Sequence, residues 1–340
     1  MRVYGLLEKP IDSHLKKSRT RMRKYVLRRL LLFIPTLIGV SMAVFTLLRI
    51  IPGDIAALIL SGPSGELTYT QEDVDELREE MGLNNPIYIQ YLNWMSELLR
   101  GDLGNSFVTK LSIGEQVRRQ LPITMQLAFF SMIVISVISI PIGVLAAVKQ
   151  DSAIDYLLRS FAILGLAMPS FFVALLVVLI LSVGLHWSAP LGFVSLWNDP
   201  ITSFQQLFFP AIALGFASSG LLVRMTRAQL LEVLREDYVR TARAKGLAEG
   251  AVILRHAVRN ALLPVITIGG TQIGFLFSGT VIIETIFNIP GVGRGLISAL
   301  NSRDLPAIQV YIIYFAGIAL VSNLIVDLMY AWLDPRIRYG

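Results

Sequence analysis

The sequence predicts an all-α integral membrane protein, with six transmembrane helices and a small helical cap outside the membrane. Three observations carry this. Of 340 residues, 54% are hydrophobic and 16% charged, and mean hydropathy is +0.63, whereas a soluble domain holds about 25% charged residues. Long apolar runs recur, each close to the roughly 20 residues that cross the hydrocarbon. The basic residues gather in alternate connections, the pattern of cytoplasmic loops.

Residues 1–29 hold ten Lys/Arg against two acids, Glu8 and Asp12. A first span covers 28–50, so 1–27 read as a basic cytoplasmic extension. That apolar run starts too late, and lacks the small-residue cleavage site, for a secretory signal. The connection 51–123 reverses the charge, with eleven acids and five bases. It is too long to be structureless and carries helix punctuation. Thr70 with Asp73 forms a capping-box variant ahead of Val74, Leu77 and Met81, and Gly82 closes that helix. Pro86 opens a second helix, with Tyr91, Met95, Leu98 and Leu99 on its apolar side and Gly101 at its end. Ser112 with Glu115 starts a third, which runs into the second span at 124–148. These helices are the predicted extracytoplasmic cap, 51–123.

A third span covers 157–186, followed by a link, 187–206, with no Lys or Arg. The next span, 207–223, is weaker because Gly215, Ser218, Ser219 and Gly220 dilute it. Residues 224–260 then hold eight Lys/Arg. Spans at 264–287 and 309–333 flank a Gly-rich turn and short helix in 288–308. Only six spans with both termini in the cytoplasm put every basic segment on one side.

The same distribution accounts for the net charge of +6 and makes nucleic acid no partner. With no cysteines and three scattered histidines (His14, His186, His256), disulfides, thiol nucleophiles and His-rich metal cages are excluded. There is no GxxxxGK[ST], HExxH or GxSxG, and "GVGRG" at 291–295 lacks the context of a dinucleotide loop. An intramembrane protease needs a nucleophile beside a base, and His186 and His256 fall at opposite membrane faces.

The stretch "DYVRTARAKG", 237–246, reads as a short helix in the inner loop 224–262. Asp237 stands near its start, Arg240, Arg243 and Lys245 toward its end, and Gly246 at a C′ stop, an order that suits the macrodipole. Ala242 and Ala244 are small enough for another surface to approach the backbone, and Tyr238 and Ala242 share a face at i, i+4. On residues alone, two readings stay open: a solvated positive loop, or a surface built to be gripped.

"EDYVRTARAKGL…LRHAVRNALLPVIT" resembles the signature loop of permease subunits of ABC importers, in particular the peptide/nickel branch of dipeptide and oligopeptide permease B-type subunits. The general pattern is Glu-Ala-Ala, three residues, Gly, a spacer and Ile-x-Leu-Pro. Here Arg240, Thr241 and Ala242 stand in the Glu-Ala-Ala places, Gly246 in the Gly place, and Leu263-Pro264 close it. The replaced Glu and longer spacer are shared with the peptide branch. "IPGD" (51–54), "MGLNNPIYIQY" (81–91), "GDLGNS" (101–106), "LPITMQLA" (121–128), "IIETIFNIPGVGRGL" (282–296), "RDLPAIQ" (303–309) and "DPRIRYG" (334–340) match in the same order. Residues 1–21 have no counterpart.

The resemblance implies the importer-permease, MetI-like fold in a bacterial or archaeal cytoplasmic membrane. It implies a second homologous permease subunit, two ABC ATPases below, and an extracytoplasmic substrate-binding protein above. ATP and magnesium would sit on the ATPases, with no cofactor on this chain. Asp237, Tyr238, Arg240, Thr241, Ala242, Arg243, Ala244, Lys245 and Gly246 would form the coupling helix, seated in a groove of one ATPase.

Polar residues interrupt the apolar runs: Gln126, Ser131, Ser136, Ser170, Thr267, Thr271, Gln272, Ser278, Glu284, Asn323 and Asp327. Such groups face a bundle interior, where they bond between helices or line a path. Gln126, Thr271, Gln272, Ser278 and Glu284 are the candidates for a pathway or gate, Glu284 also for structural pairing. Asp327 reads as the partner of a basic residue such as Arg29 or Arg224. Two other classes remain as alternatives: a self-sufficient channel or secondary transporter, which would need no ATPase, and a non-transporting scaffold.

Overall fold

The computed structural model describes residues 11–50, 54–60, 69–190 and 192–333. Part of the basic extension, Ile51 to Gly53 of "IPGD", a stretch of the cap at 61–68 and the motif at 334–340 lie outside the described residues. The Asp327 side chain does too.

Thirteen α-helices follow in order among the described residues: α1 Ile11–Ile50, α2 Ile55–Leu60, α3 Gln71–Glu80, α4 Ile87–Leu99, α5 Ile113–Val148, α6 Ala153–Ala167, α7 Ser170–Leu179, α8 Pro200–Val233, α9 Asp237–Ala244, α10 Glu249–Ala251, α11 Arg259–Ile286, α12 Val292–Asn301 and α13 Leu305–Leu333. π-helical turns extend α7 over Ile180–Gly184 and join α10 to α11 over Val252–Val258. Among the described residues, five helical stretches are long and apolar enough to cross a membrane: Leu27–Ile50, Ile113–Val148, Pro200–Val233, Glu249–Ile286 and Leu305–Val326.

The sixth expected span differs. The stretch 157–186 is a pair, α6 and α7 with its π turn, bent by 104°. Pro169 is the cause: it has no N–H for a helix ladder, and it drives the residue before it out of the helical region. Met168 accordingly sits at φ −88, ψ 121. Helix α6 also begins earlier than expected, because Ser152 caps it by accepting the Asp155 N–H at 3.3 Å.

Helix α8, the weak span on composition, is the most buried of the five. Its small residues are the reason. A Cβ on Gly215 would meet Val134 and the Ser131 carbonyl of α5, and one on Gly220 would collide with the Ala162 carbonyl of α6. From the facing helices, Gly143 abuts Thr226, Gly165 the Phe216 carbonyl, and Gly279 Leu214. In lipid, where helices gain nothing by hiding apolar surface from one another, such close approach is how they associate. Leu127, Ile135, Leu207, Leu214, Leu276 and Ile283 fill the core around it.

The cap forms at the end where α1 finishes and α5 starts. Helix α3 has the capping box: Thr70 Oγ1 accepts from Asp73 N at 3.3 Å and Asp73 Oδ2 from Thr70 N at 2.6 Å. The Thr70 N–H, and then the Thr70 hydroxyl donating to the same Oδ2 at 2.8 Å, hold the Asp73 carboxyl below the usual carboxylate range. Gly82 (φ +65) and Gly101 (φ +82) end α3 and α4 as expected. The inner face of α4 includes Tyr91, Met95 and Leu98 as expected, but departs at Leu99 and adds Trp94. Leu99 is 80% exposed, and Tyr91 and Trp94 make the contact, their rings 5.5 and 5.6 Å from Phe45 of α1. Helix α5 starts at the Ser112 cap and spans 36 residues, about 54 Å at 1.5 Å per residue. It therefore exceeds the ~30 Å hydrocarbon and carries Ile113 and Val117 into the cap core with Val292, Ile308 and Tyr311.

Candidate coupling surface and pathway face

Helix α9 lies at the end opposite the cap, directly after α8. Asp237 occupies its first turn and Arg243 its last, matching the macrodipole. Lys245 is its C-cap, and Gly246 follows at φ +75, its N–H donating to the Arg243 carbonyl at 2.9 Å. One narrow face is seated: Val239 and Ala242 pack on Val252, Val233 and Leu234. Two side-chain straps hold the flanks. Arg243 Nη2 and Nε reach Glu249 at 2.7 and 3.1 Å, and Asn260 Nδ2 donates to the Tyr238 hydroxyl at 2.8 Å. Thr241 bonds back to the Asp237 carbonyl and Arg240 to the Asp237 carboxylate, both within the helix. Asp237, Tyr238, Arg240, Thr241, Arg243, Ala244 and Lys245 are all exposed, as is Gly246.

The result is a short, firmly mounted helix with most of its surface free. One expectation changes. Ala242 does not offer its small side chain to a partner; it is 7% exposed and belongs to the seat. A side chain on Gly246 would meet nothing of this chain within 4 Å, so within the chain its requirement is the left-handed backbone. Sequence reasoning missed Glu249 and Asn260. Both lie across the Gly246 turn from their partners, where no helical spacing rule pairs residues.

The polar span residues separate by face. Thr271 and Ser278 are exposed on α11, on one stripe with Phe275 (73% exposed) and Ile282. Gln272 turns toward α8, its Nε2 3.4 Å from the Ser218 carbonyl. Gln126 is partly buried on α5, its Oε1 without a partner among the described residues. Ser131, Ser136, Thr267 and Thr271 bond to carbonyls of their own helices rather than between helices.

Glu284 is fully buried and lines no free face. Thr124 of α5 donates to its Oε1 at 2.6 Å, and the Arg294 N–H of α12 donates to its Oε2 at 3.1 Å. Thr124 Oγ1 in turn accepts the Val292 N–H at 2.9 Å. The N-cap of α12 is Gly291, which has no side chain to cap with, so a carboxylate from α11 satisfies those first amides instead. Gly291 and Gly293 are required beside it, since a Cβ at either would strike the Glu284 carboxyl.

The fold is therefore a multi-span helical bundle with no strand among the described residues, a polar-surfaced helix mounted at one end and a helical cap at the other. Residues 139–339 match the family described as binding-protein-dependent transport system inner membrane component. Residues 22–128 match the N-terminal family of the same membrane components. The dipeptide transport system permease protein DppB of Alkalihalophilus pseudofirmus is 41% identical over 339 residues, covering 94% of this chain and 100% of that protein. The oligopeptide transport system permease protein AppB of Bacillus subtilis is 40% identical over 322 residues, with the same coverage. DppB of Escherichia coli is 39% identical over 343 residues, covering 94% and 99%. The chain belongs to the family of binding-protein-dependent transport system inner membrane components. It is a multi-pass permease subunit of an ABC importer, non-catalytic itself, in a system whose ATPase and substrate-binding protein are partners.

Proposed function

We propose that this chain forms half of a translocation pathway for short peptides or a related small solute, paired with a second homologous six-span permease. Two ATPases on the cytoplasmic side bind the ATP and magnesium; this chain binds neither. Helix α9 seats on one ATPase, and the cap with α12 faces the extracytoplasmic binding protein, both termini being cytoplasmic. The observation that carries the reading is the 39–41% identity to dipeptide and oligopeptide permeases over 94% of the chain. Two local features support the assignments. Helix α9 is held by one narrow face and two straps while its charged surface stays free. The exposed stripe of α11 carries the hydroxyls of Thr271 and Ser278 within a span, where exposed polar surface marks a path or a partner.

The test is reconstitution in liposomes of the four membrane and ATPase subunits, with the binding protein and a radiolabelled dipeptide. Uptake should require ATP and every subunit. Uptake by this chain alone, or ATP hydrolysis by it alone, would sink the reading and favour a self-sufficient transporter.

A further inference from the structure

A buried carboxylate and a half-buried guanidinium meet at the α9 end of the bundle, used neither by the coupling surface nor by the α11 stripe. Asp155, in the first turn of α6, has a side chain 0% exposed; Arg227 on α8 is 19% exposed. The guanidinium forks onto the carboxylate, Nε to Oδ1 at 2.8 Å and Nη2 to Oδ2 at 2.6 Å. Oδ2 also accepts the Asp151 N–H at 3.0 Å, and Asp151 holds the turn between α5 and α6 at φ +61.

Stability alone is a weak reason for such a pair, because desolvating two charges cancels most of their attraction and apolar replacements of similar size often do as well. Position is the stronger clue. Arg227 stands on the last two turns of α8, which ends at Val233 and leads through three residues into α9 at Asp237. Farther along, α6 and α8 meet backbone to backbone, Gly220 against the Ala162 carbonyl and Gly165 against the Phe216 carbonyl, with the rings of Phe161 and Phe216 5.2 Å apart. A glycine seam permits close approach, but its van der Waals contacts carry no directional bond. A bidentate fork fixes both distance and direction. Helix α6 then ends at the 104° bend into α7.

We propose that Asp155 and Arg227 are positioning residues that lock α6 to the coupling end of α8, so that displacement of α9 drives the bent α6–α7 pair rather than being lost as slip along the glycine seam. This rests on the reading of α9 as the ATPase contact. The pair lies on the last two turns of α8, the helix that leads into α9, and the Asp151 bond extends the lock to the turn after α5.

The test uses the complete reconstituted transporter and three readouts: retention of the ATPases, thermal unfolding of the complex, and solute taken up per ATP hydrolysed. Asp155→Ala leaves a half-buried guanidinium unpaired and should lower the yield of assembled complex. Asp155→Leu with Arg227→Met removes both charges, and should restore assembly and unfolding temperature. Uptake per ATP should nevertheless stay about 5-fold or more below wild type, the scale of an ordinary coupling energy. Full coupling in that assembled double variant would overturn the proposal, leaving the pair as packing. Should the double variant not assemble, Asp155→Asn decides. It keeps the shape and loses the charge and one acceptor, and normal uptake per ATP from it equally overturns the proposal. The chain has no cysteine, so Arg240→Cys provides a unique cross-linking site on α9. Absence of any cross-link to an ATPase in the otherwise wild-type complex counts against the α9 reading, independently of the coupling result.

Discussion

The Glu284 carboxyl oxygens accept from Thr124 and from the first turn of α12, and the side chain is fully buried. Truncation to alanine therefore orphans the Thr124 hydroxyl and the Arg294 amide together. Glu284→Ala should cost about 1–3 kcal/mol, the penalty of a buried donor left unmet, and appear as a lowered unfolding temperature of the purified chain in detergent. Thr124→Val should fall in the same direction, because it removes the acceptor of the Val292 N–H as well. At α9 the residue arguments divide two substitutions that look alike. Ala242→Glu drives a charge into the Val239, Val252 and Leu234 seat and should loosen α9 from its own chain. Gly246→Val strains a φ of +75 that β-branched residues avoid, roughly 1–2 kcal/mol, but meets nothing within the chain. Limited proteolysis at 245–250 should thus rise more in Ala242→Glu than in Gly246→Val. If transport in the assembled system is abolished by both while proteolysis of Gly246→Val stays at the wild-type level, the Gly246 loss is assigned to the partner surface.

Among the elements, α8 carries the packing. Its Gly215 and Gly220 let α5 and α6 come to backbone distance, while Gly269 and Gly279 of α11 make room for its Leu222 and Leu214. Gly220→Val would place side-chain atoms in the space of the Ala162 carbonyl, which cannot swing away as a flexible side chain could. Overpacking of this kind costs about 1–3 kcal/mol or more, so the variant should insert poorly or unfold earlier than Gly317→Val, a glycine with open space around it. Equal unfolding temperatures for the two variants would contradict the packing described for α8. The α6–α7 bend belongs to this scale too. Met168–Pro169 breaks the helix locally, and the angle at which the halves separate is set by α8, against which both pack.

For the whole molecule, the division of labour follows charge. The cap presents acids: Glu72, Glu76, Glu79 and Glu80 are exposed on α3 around a single buried Val74. If this surface meets the binding protein, replacing those four by lysine should lower binding-protein-stimulated ATP hydrolysis without releasing the ATPases. The loss should shrink as salt rises, since exposed charges steer encounter over little more than a Debye length, about 8 Å at physiological ionic strength. Unchanged stimulation at low salt would remove α3 from the docking surface.

Much of this architecture was legible in the order of residues. Hydropathy marked where helices lie, because a bilayer demands apolar length and internal hydrogen bonding whatever the neighbours. Thr70, Asp73, Gly82, Gly101, Ser112 and Gly246 marked where helices start and stop, because capping is settled within four residues. The α9 stretch was legible for the same reason, together with its motif. Contacts between distant segments were not legible. Composition ranked α8 as the weakest span although it is the most buried of the five, because glycine lowers hydropathy while permitting the approach that buries a helix. Sequence placed Glu284 near a turn but could not supply Thr124, 160 residues away, as its donor. It gave Ala242 an outward role that the Val239 seat withdraws, and it left Asp155 and Arg227, 72 residues apart, unconnected. Local rules act through the backbone of one helix. Which face of that helix is spent on its own chain, and which remains for a partner, is decided only when the other helices are packed against it.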